Sequence, residues 1–189
     1  RSQLEKSMRL FTKSILPAIV LALVSTTPAF AAPDELDSSP MMHEGKQIGC
    51  QFTFGHNQLD PANFGKGEAL VEGSMSLLRF DKNIIFALKV GVTGPDKGKR
   101  SAPFEAFFVD GETPNTKSLM SKMDSDDQGY RLFAFNADDA TIAATISKPG
   151  KERTVRMAYR LKEGGEMTQV AIPFDTDAGR KAYLGWLNC

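Results

Sequence analysis

The chain holds two histidines, His43 and His56, and two cysteines, Cys50 and Cys189. These are its best candidates for base, nucleophile or soft-metal chemistry. His56 stands four residues before Asp60, a spacing that offers a histidine base with a carboxylate to orient it. No serine lies in a Gly-x-Ser-x-Gly turn, and no second histidine is spaced to bind zinc with His56. A histidine in a turn is the plainer reading, and a hydrolase using His56 with a carboxylate is kept as the alternative. Cys50 lies between Gly49 and Gln51 in an alternating stretch and has little of the setting of a catalytic thiol.

Two further groups have metal-ligand chemistry. Met41-Met42-His43 offers two thioethers and an imidazole, a soft set suited to copper. Three adjacent residues converge less easily than spaced ones, so a plain tail is preferred and metal handling is a second alternative. Asp124 to Gly129 resembles the front of a calcium loop, with Asp124 and Asp126 at positions one and three and Gly129 at six. Gln128 takes the fifth position, and Phe135 falls where the loop needs a bidentate glutamate. A solvated acidic turn is expected there. No metal and no cofactor is assigned.

The remaining polar and aromatic concentrations have structural readings. Lys97, Lys99, Arg100, Arg153, Arg156 and Arg160 are offset by abundant acids and read as solvated surface. With 23 basic and 23 acidic residues in the whole chain, charge gives no reason to expect nucleic acid or an anionic membrane as partner. The chain has 13 phenylalanines. Phe104, Phe107, Phe108, Phe133 and Phe135 are read first as core, and as the ligand surface if the domain has an apolar one.

The residues that must position these groups begin with an address. Residues 8–31 carry basic Arg9 and Lys13, an apolar run from Ile15 to Val24, and Ala29-Phe30-Ala31 as a small-x-small site. This is the three-part secretory signal, with cleavage expected after Ala31. The run is too short for the ~20 residues of a spanning helix, so no membrane span is expected after signal removal. Residues 1–7 precede the natural start at Met8 and are read as an upstream scar. Residues 32–46, with two prolines and no periodicity, read as a flexible leader, and 47–189 as a single β-rich domain. In an exported chain an even cysteine count favours a disulfide, here Cys50–Cys189. A bond closing so long a loop stabilises by about 2–4 kcal/mol.

Within the domain, period-two alternation predicts strands. Ile48, Cys50, Phe52 and Phe54 share one face of a strand over 47–55, and 56–67 is a loop. Residues 69–80 and 84–93 form a hairpin about Lys82-Asn83, with Leu77 opposite Leu88 and Met75 opposite Val90. Strands are expected at 104–109 and 130–135, a short helix over 114–124, and a strand over 137–148. A hairpin about Gly164-Gly165 sets Tyr159 opposite Val170 and Met157 opposite Ile172, with Arg156 and Arg160 outward. Pro173 cannot donate to a ladder, so its strand is an edge there or its amide position points outward. Asp175, Thr176 or Asp177 caps a helix over 178–187, whose apolar face holds Ala178, Ala182, Tyr183, Trp186 and Leu187.

The fold class expected is mainly β: an antiparallel sandwich or open barrel of seven or eight strands with a C-terminal helix packed on the sheet. The function expected is that of an exported, periplasmic or secreted, non-catalytic binding or structural domain, its partner an unknown protein or small molecule.

Overall fold

Alternating apolar and polar side chains generate almost every element of the molecule. The computed structural model describes residues 36–80, 83–96, 98–110, 113–136, 154–174 and 176–188. Among these, ten strands run in chain order: β1 (Leu36–His43), β2 (Lys46–Leu59), β3 (Glu68–Phe80), β4 (Asn83–Thr93), β5 (Glu105–Asp110), β6 (Thr113–Pro114), β7 (Leu119–Asp124), β8 (Tyr130–Asn136), β9 (Thr154–Arg160) and β10 (Thr168–Pro173). Two helices join them, α1 (Pro61–Phe64) after β2 and α2 (Asp177–Leu187) at the end. The strands form two sheets, β1-β2-β3-β4-β8-β7 and β10-β9-β5-β6, paired antiparallel throughout. The architecture is sandwich-like and mainly β, with the C-terminal helix packed against the larger sheet.

The core is the layer between the sheets. Cys50, Phe52 and Phe54 of β2 meet Met75 of β3, Phe86 and Leu88 of β4, and Phe133 and Phe135 of β8. Val155, Met157, Tyr159, Val170 and Ile172 come from the facing sheet. Aromatic rings knit the two halves. Phe108 lies edge-on to Phe86 at 4.9 Å and to Phe135 at 5.1 Å, a geometry that adds to the area they bury. Phe107, Phe108, Phe133 and Phe135 are therefore buried, with Phe108 at 1% exposure and Phe133 and Phe135 at 0%, while Phe104 is half-buried. Gly73 sits among these residues opposite Phe54 and Val90. A Cβ there would overlap the Lys89 carbonyl, so only glycine lets β3 lie this close to β4.

Helix α2 covers part of this core. Thr176 caps it by accepting from Gly179 N at 3.0 Å, and Asp177 suits the positive end. Ala182, Tyr183 and Trp186 are buried. The indole of Trp186 packs against Phe52 and Phe86 and donates to the Cys50 carbonyl at 3.2 Å. Ala178, expected on the buried face, is exposed. Among the described residues no helix is long and apolar enough to cross a membrane.

Several expectations are corrected. Residues 36–43, read as leader, form β1, turned into β2 by Glu44 (φ 50) and Gly45 (φ 76). Two consecutive positive φ values make the tight two-residue turn that matches strand twist. The strand expected over 47–55 runs on to Leu59, and the loop after it holds α1. The helix expected over 114–124 is instead β6 and β7, and β7 alternates in exposure as a strand must. Both hairpins keep the expected faces but pair two residues away. Met75 lies opposite Leu88 and Leu77 opposite Phe86, leaving Asp81-Lys82 between Phe80 and Asn83. Met157 lies opposite Val170 and Tyr159 opposite Thr168, leaving 161–167 as the connection. An even shift leaves every side chain on its face, so alternation alone does not distinguish the registers. The strand expected over 137–148 lies outside the described residues, as does Cys189.

Candidate functional site

Two buried polar clusters are the strongest candidates, one between the sheets and one on the outer face of the larger sheet. The first centres on Asp60, where β2 ends and α1 begins. Asp60 caps α1, accepting from Asn63 N at 3.2 Å, and Pro61 follows where a missing N–H costs nothing. The side chain is fully buried. Its oxygens also accept from Asn63 Nδ2 at 3.0 Å, from the Tyr159 hydroxyl at 2.5 Å and from Thr168 Oγ1 at 2.6 Å. Tyr159 is on β9 and Thr168 on β10, so one carboxylate ties the end of β2 to the facing sheet. Burial pushes the Tyr159 hydroxyl well above its ordinary range, and the hydrogen bond and charge of Asp60 push it further. A phenol so held is a donor at neutral pH and not a nucleophile. The arrangement is a joint.

The second cluster crosses the outer face of the six-stranded sheet. Glu72 of β3 and Tyr130 of β8 flank Gly91 of β4 in one transverse row. The Tyr130 hydroxyl donates to Glu72 Oε1 at 3.0 Å, and the Arg100 guanidinium pairs with the same oxygen. Lys89 is ion-paired with Asp127. The Tyr130 ring carries Arg100 at 4.3 Å and Lys89 at 5.0 Å from its centroid. Burial, with the Glu72 carboxylate next in weight, raises the Tyr130 pKa far above the ordinary value. Among the described residues, Arg100 pairs with Glu72 and Lys89 with Asp127. Beside this cluster the same face carries a small apolar group that includes Met41, Leu78, Ile85 and Leu132.

His56 takes a half-buried place on β2 opposite Val71. The carboxylate four residues on is given to Asn63, Tyr159 and Thr168, so Asp60 serves the sheet joint. Met41 and Met42 are split by the pleat and bulge of β1: Met41 is 1% exposed and Met42 47%. They do not converge on a metal with His43, whose Nε2 lies 4.0 Å from Glu44. In the acidic turn, Asp124 Oδ1 accepts from Arg131 Nε at 3.2 Å and NH2 at 2.7 Å, while Asp127 pairs with Lys89. These carboxylates are engaged by cations of β8 and β4. Among the described residues no three His, Cys, Asp or Glu side chains are placed to hold a metal. Arg160, expected at the surface, pairs with Glu105 across β9 and β5. Cys50 is buried, with Gln47 Nε2 donating toward its sulfur at 3.6 Å.

Neither cluster was found from the sequence. The Asp60 contacts to Tyr159 and Thr168 span about a hundred residues and follow no local period. Glu72 and Lys89 did leave a signal, as charges inside strands that are otherwise apolar or small. In half-buried strands such charges mark either a solvated face or a paired cluster.

The fold and sites define a class: a β-sandwich-like domain closed by a C-terminal helix, with its strongest polar groups joining its own elements. No protein-family model, curated protein or solved structure matches the chain.

Proposed function

We propose that the protein is an exported, non-catalytic binding or structural domain, processed after Ala31 and closed by a Cys50–Cys189 disulfide. The observation that carries the non-catalytic part is the use made of Asp60. The carboxylate nearest in sequence to the one histidine of the long β2 strand is fully buried and shared among Asn63, Tyr159 and Thr168. A general base needs an orienting partner and access to a substrate proton, and this carboxylate is committed to holding two sheets together.

Export rests on the basic, apolar and small-residue pattern of residues 8–31. The disulfide is supported by the docking of α2, since the Trp186–Cys50 hydrogen bond brings the helix, three residues before Cys189, onto the strand of Cys50.

The test of the non-catalytic reading compares the wild type with His56→Ala against ester, glycoside, peptide and phosphate substrates. Neither protein is expected to turn over any of them. A robust wild-type turnover that disappears in His56→Ala establishes the hydrolase instead.

A further inference from the structure

Arg100 is seated in a slot on the outer face of the larger sheet. One wall is Glu72, 3% exposed, whose Oε1 meets the guanidinium. The other is Tyr130, whose ring centroid lies 4.3 Å from Arg100 Cζ and whose hydroxyl shares Glu72 Oε1. Two glycines make room for the arginine. A Cβ on Gly91 would overlap Arg100 Cδ, and one on Gly129 would lie 2.6 Å from the Arg100 carbonyl and 2.8 Å from its Cβ. Gly129 has φ 82, which disfavours a side chain on its own account. The neighbouring Lys89 is neutralised by Asp127, so the slot keeps the charge of Glu72 for its occupant.

A buried carboxylate, an aromatic face and a floor without side chains suit a guanidinium better than an ammonium. The planar cation stacks on the ring while its N–H groups reach the carboxylate, and it is more weakly hydrated. The segment that carries Arg100 is peripheral. Pro95, Asp96, Gly98 and Lys99 are exposed, and the paired hydrogen bonds of Ser101 with Val92, at 2.8 and 3.0 Å, tie it to β4.

We propose that this is a guanidinium-binding slot which the β4–β5 connection fills with its own Arg100, and which takes a guanidinium from outside once Arg100 is withdrawn. The partner chemistry it implies is an arginine side chain on a peptide or protein. The inference is independent of export, of the disulfide and of the non-catalytic reading.

The experiment is complementation of Arg100→Ala. Ethylguanidinium, at millimolar concentrations far below denaturing ones, is titrated into Arg100→Ala, wild type and Arg100→Ala/Glu72→Gln. Thermal unfolding and calorimetry are the readouts, and ethylammonium is the control. Saturable stabilisation of Arg100→Ala is expected, with binding about tenfold weaker for ethylammonium and lost in the double variant. Wild type is expected not to respond. No saturable effect, an equal effect of the two cations, or an equal effect on wild type or the double variant overturns the proposal. If Arg100→Ala does not fold alone, refolding yield replaces thermal unfolding. Recovery with ethylguanidinium and not ethylammonium then supports the slot, and no selective recovery overturns it.

Discussion

Asp60 and Glu72 are both buried carboxylates, at 0% and 3% exposure, yet they are held in opposite ways. Asp60, between the sheets, accepts from the uncharged groups of Asn63, Tyr159 and Thr168. Glu72, on the outer face, is held by the Arg100 cation together with Tyr130. The difference follows from what each place can supply. The facing sheet presents hydroxyls from the ends of its strands, and several neutral donors stabilise a carboxylate without a second charge to desolvate. A cation reaches the outer face from the β4–β5 connection, its side chain mostly buried beside Glu72. The inner joint ties two sheets through neutral donors. The outer one ties a connection to the sheet through a charge pair.

The largest effect expected is that of Asp60→Ala. It leaves donors from three elements unpaired, of which Tyr159 and Thr168 are buried, and should cost about 3–5 kcal/mol, read by denaturant unfolding. The loss should be the same at low and high salt. A loss below about 1 kcal/mol would show that Asp60 does not join the sheets. Glu72→Gln should cost about 1–3 kcal/mol, and less in an Arg100→Ala background, where the charge partner is gone. An equal cost in both backgrounds would erase the contrast between the two sites.

Alkali tests both sites together, because all three tyrosines of the chain are raised. Burial pushes Tyr183 up to about 12, and Tyr130 and Tyr159 go beyond that range. The native state then holds protons that the unfolded chain releases above the ordinary value of 10. Stability from these groups is fully present below pH 10 and falls as pH rises through the native values. Tyrosinate absorbance should therefore appear with unfolding in one transition. Titration of Tyr159 or Tyr130 in a molecule that stays folded would contradict their burial. The smallest effect belongs to Asp124→Ala. Asp124 is an exposed partner of Arg131, which also donates to the Pro103 carbonyl at 3.1 Å, so the change should stay within about 0.5 kcal/mol.

Period-two alternation revealed most of the strands and the faces they bury, because burying one face of a pleated strand leaves that pattern in the sequence. It placed Cys50, Phe52 and Phe54 together and put Met157 and Tyr159 inside. It could not set register, since the two-residue displacements of both hairpins conserve the faces. At 119–124 the apolar Leu119, Met120 and Met123 fit a helical spacing as readily as a strand. In β1 the small and polar residues Asp37, Ser38 and Ser39, with Pro40, hid a strand that α2 overlies. The Asp60 joint was illegible for another reason: its parts come from three distant segments, and only the folded chain brings them together.

The central functional claim is that the chain works as an exported domain closed by one disulfide. The most direct measurement is the intact mass of protein recovered from the exported fraction and alkylated without reduction. A chain beginning at Ala32, free of alkyl groups and two hydrogens lighter than its reduced form, is the predicted result. Retention of residues 8–31, or an alkyl group on Cys50 or Cys189, would contradict it.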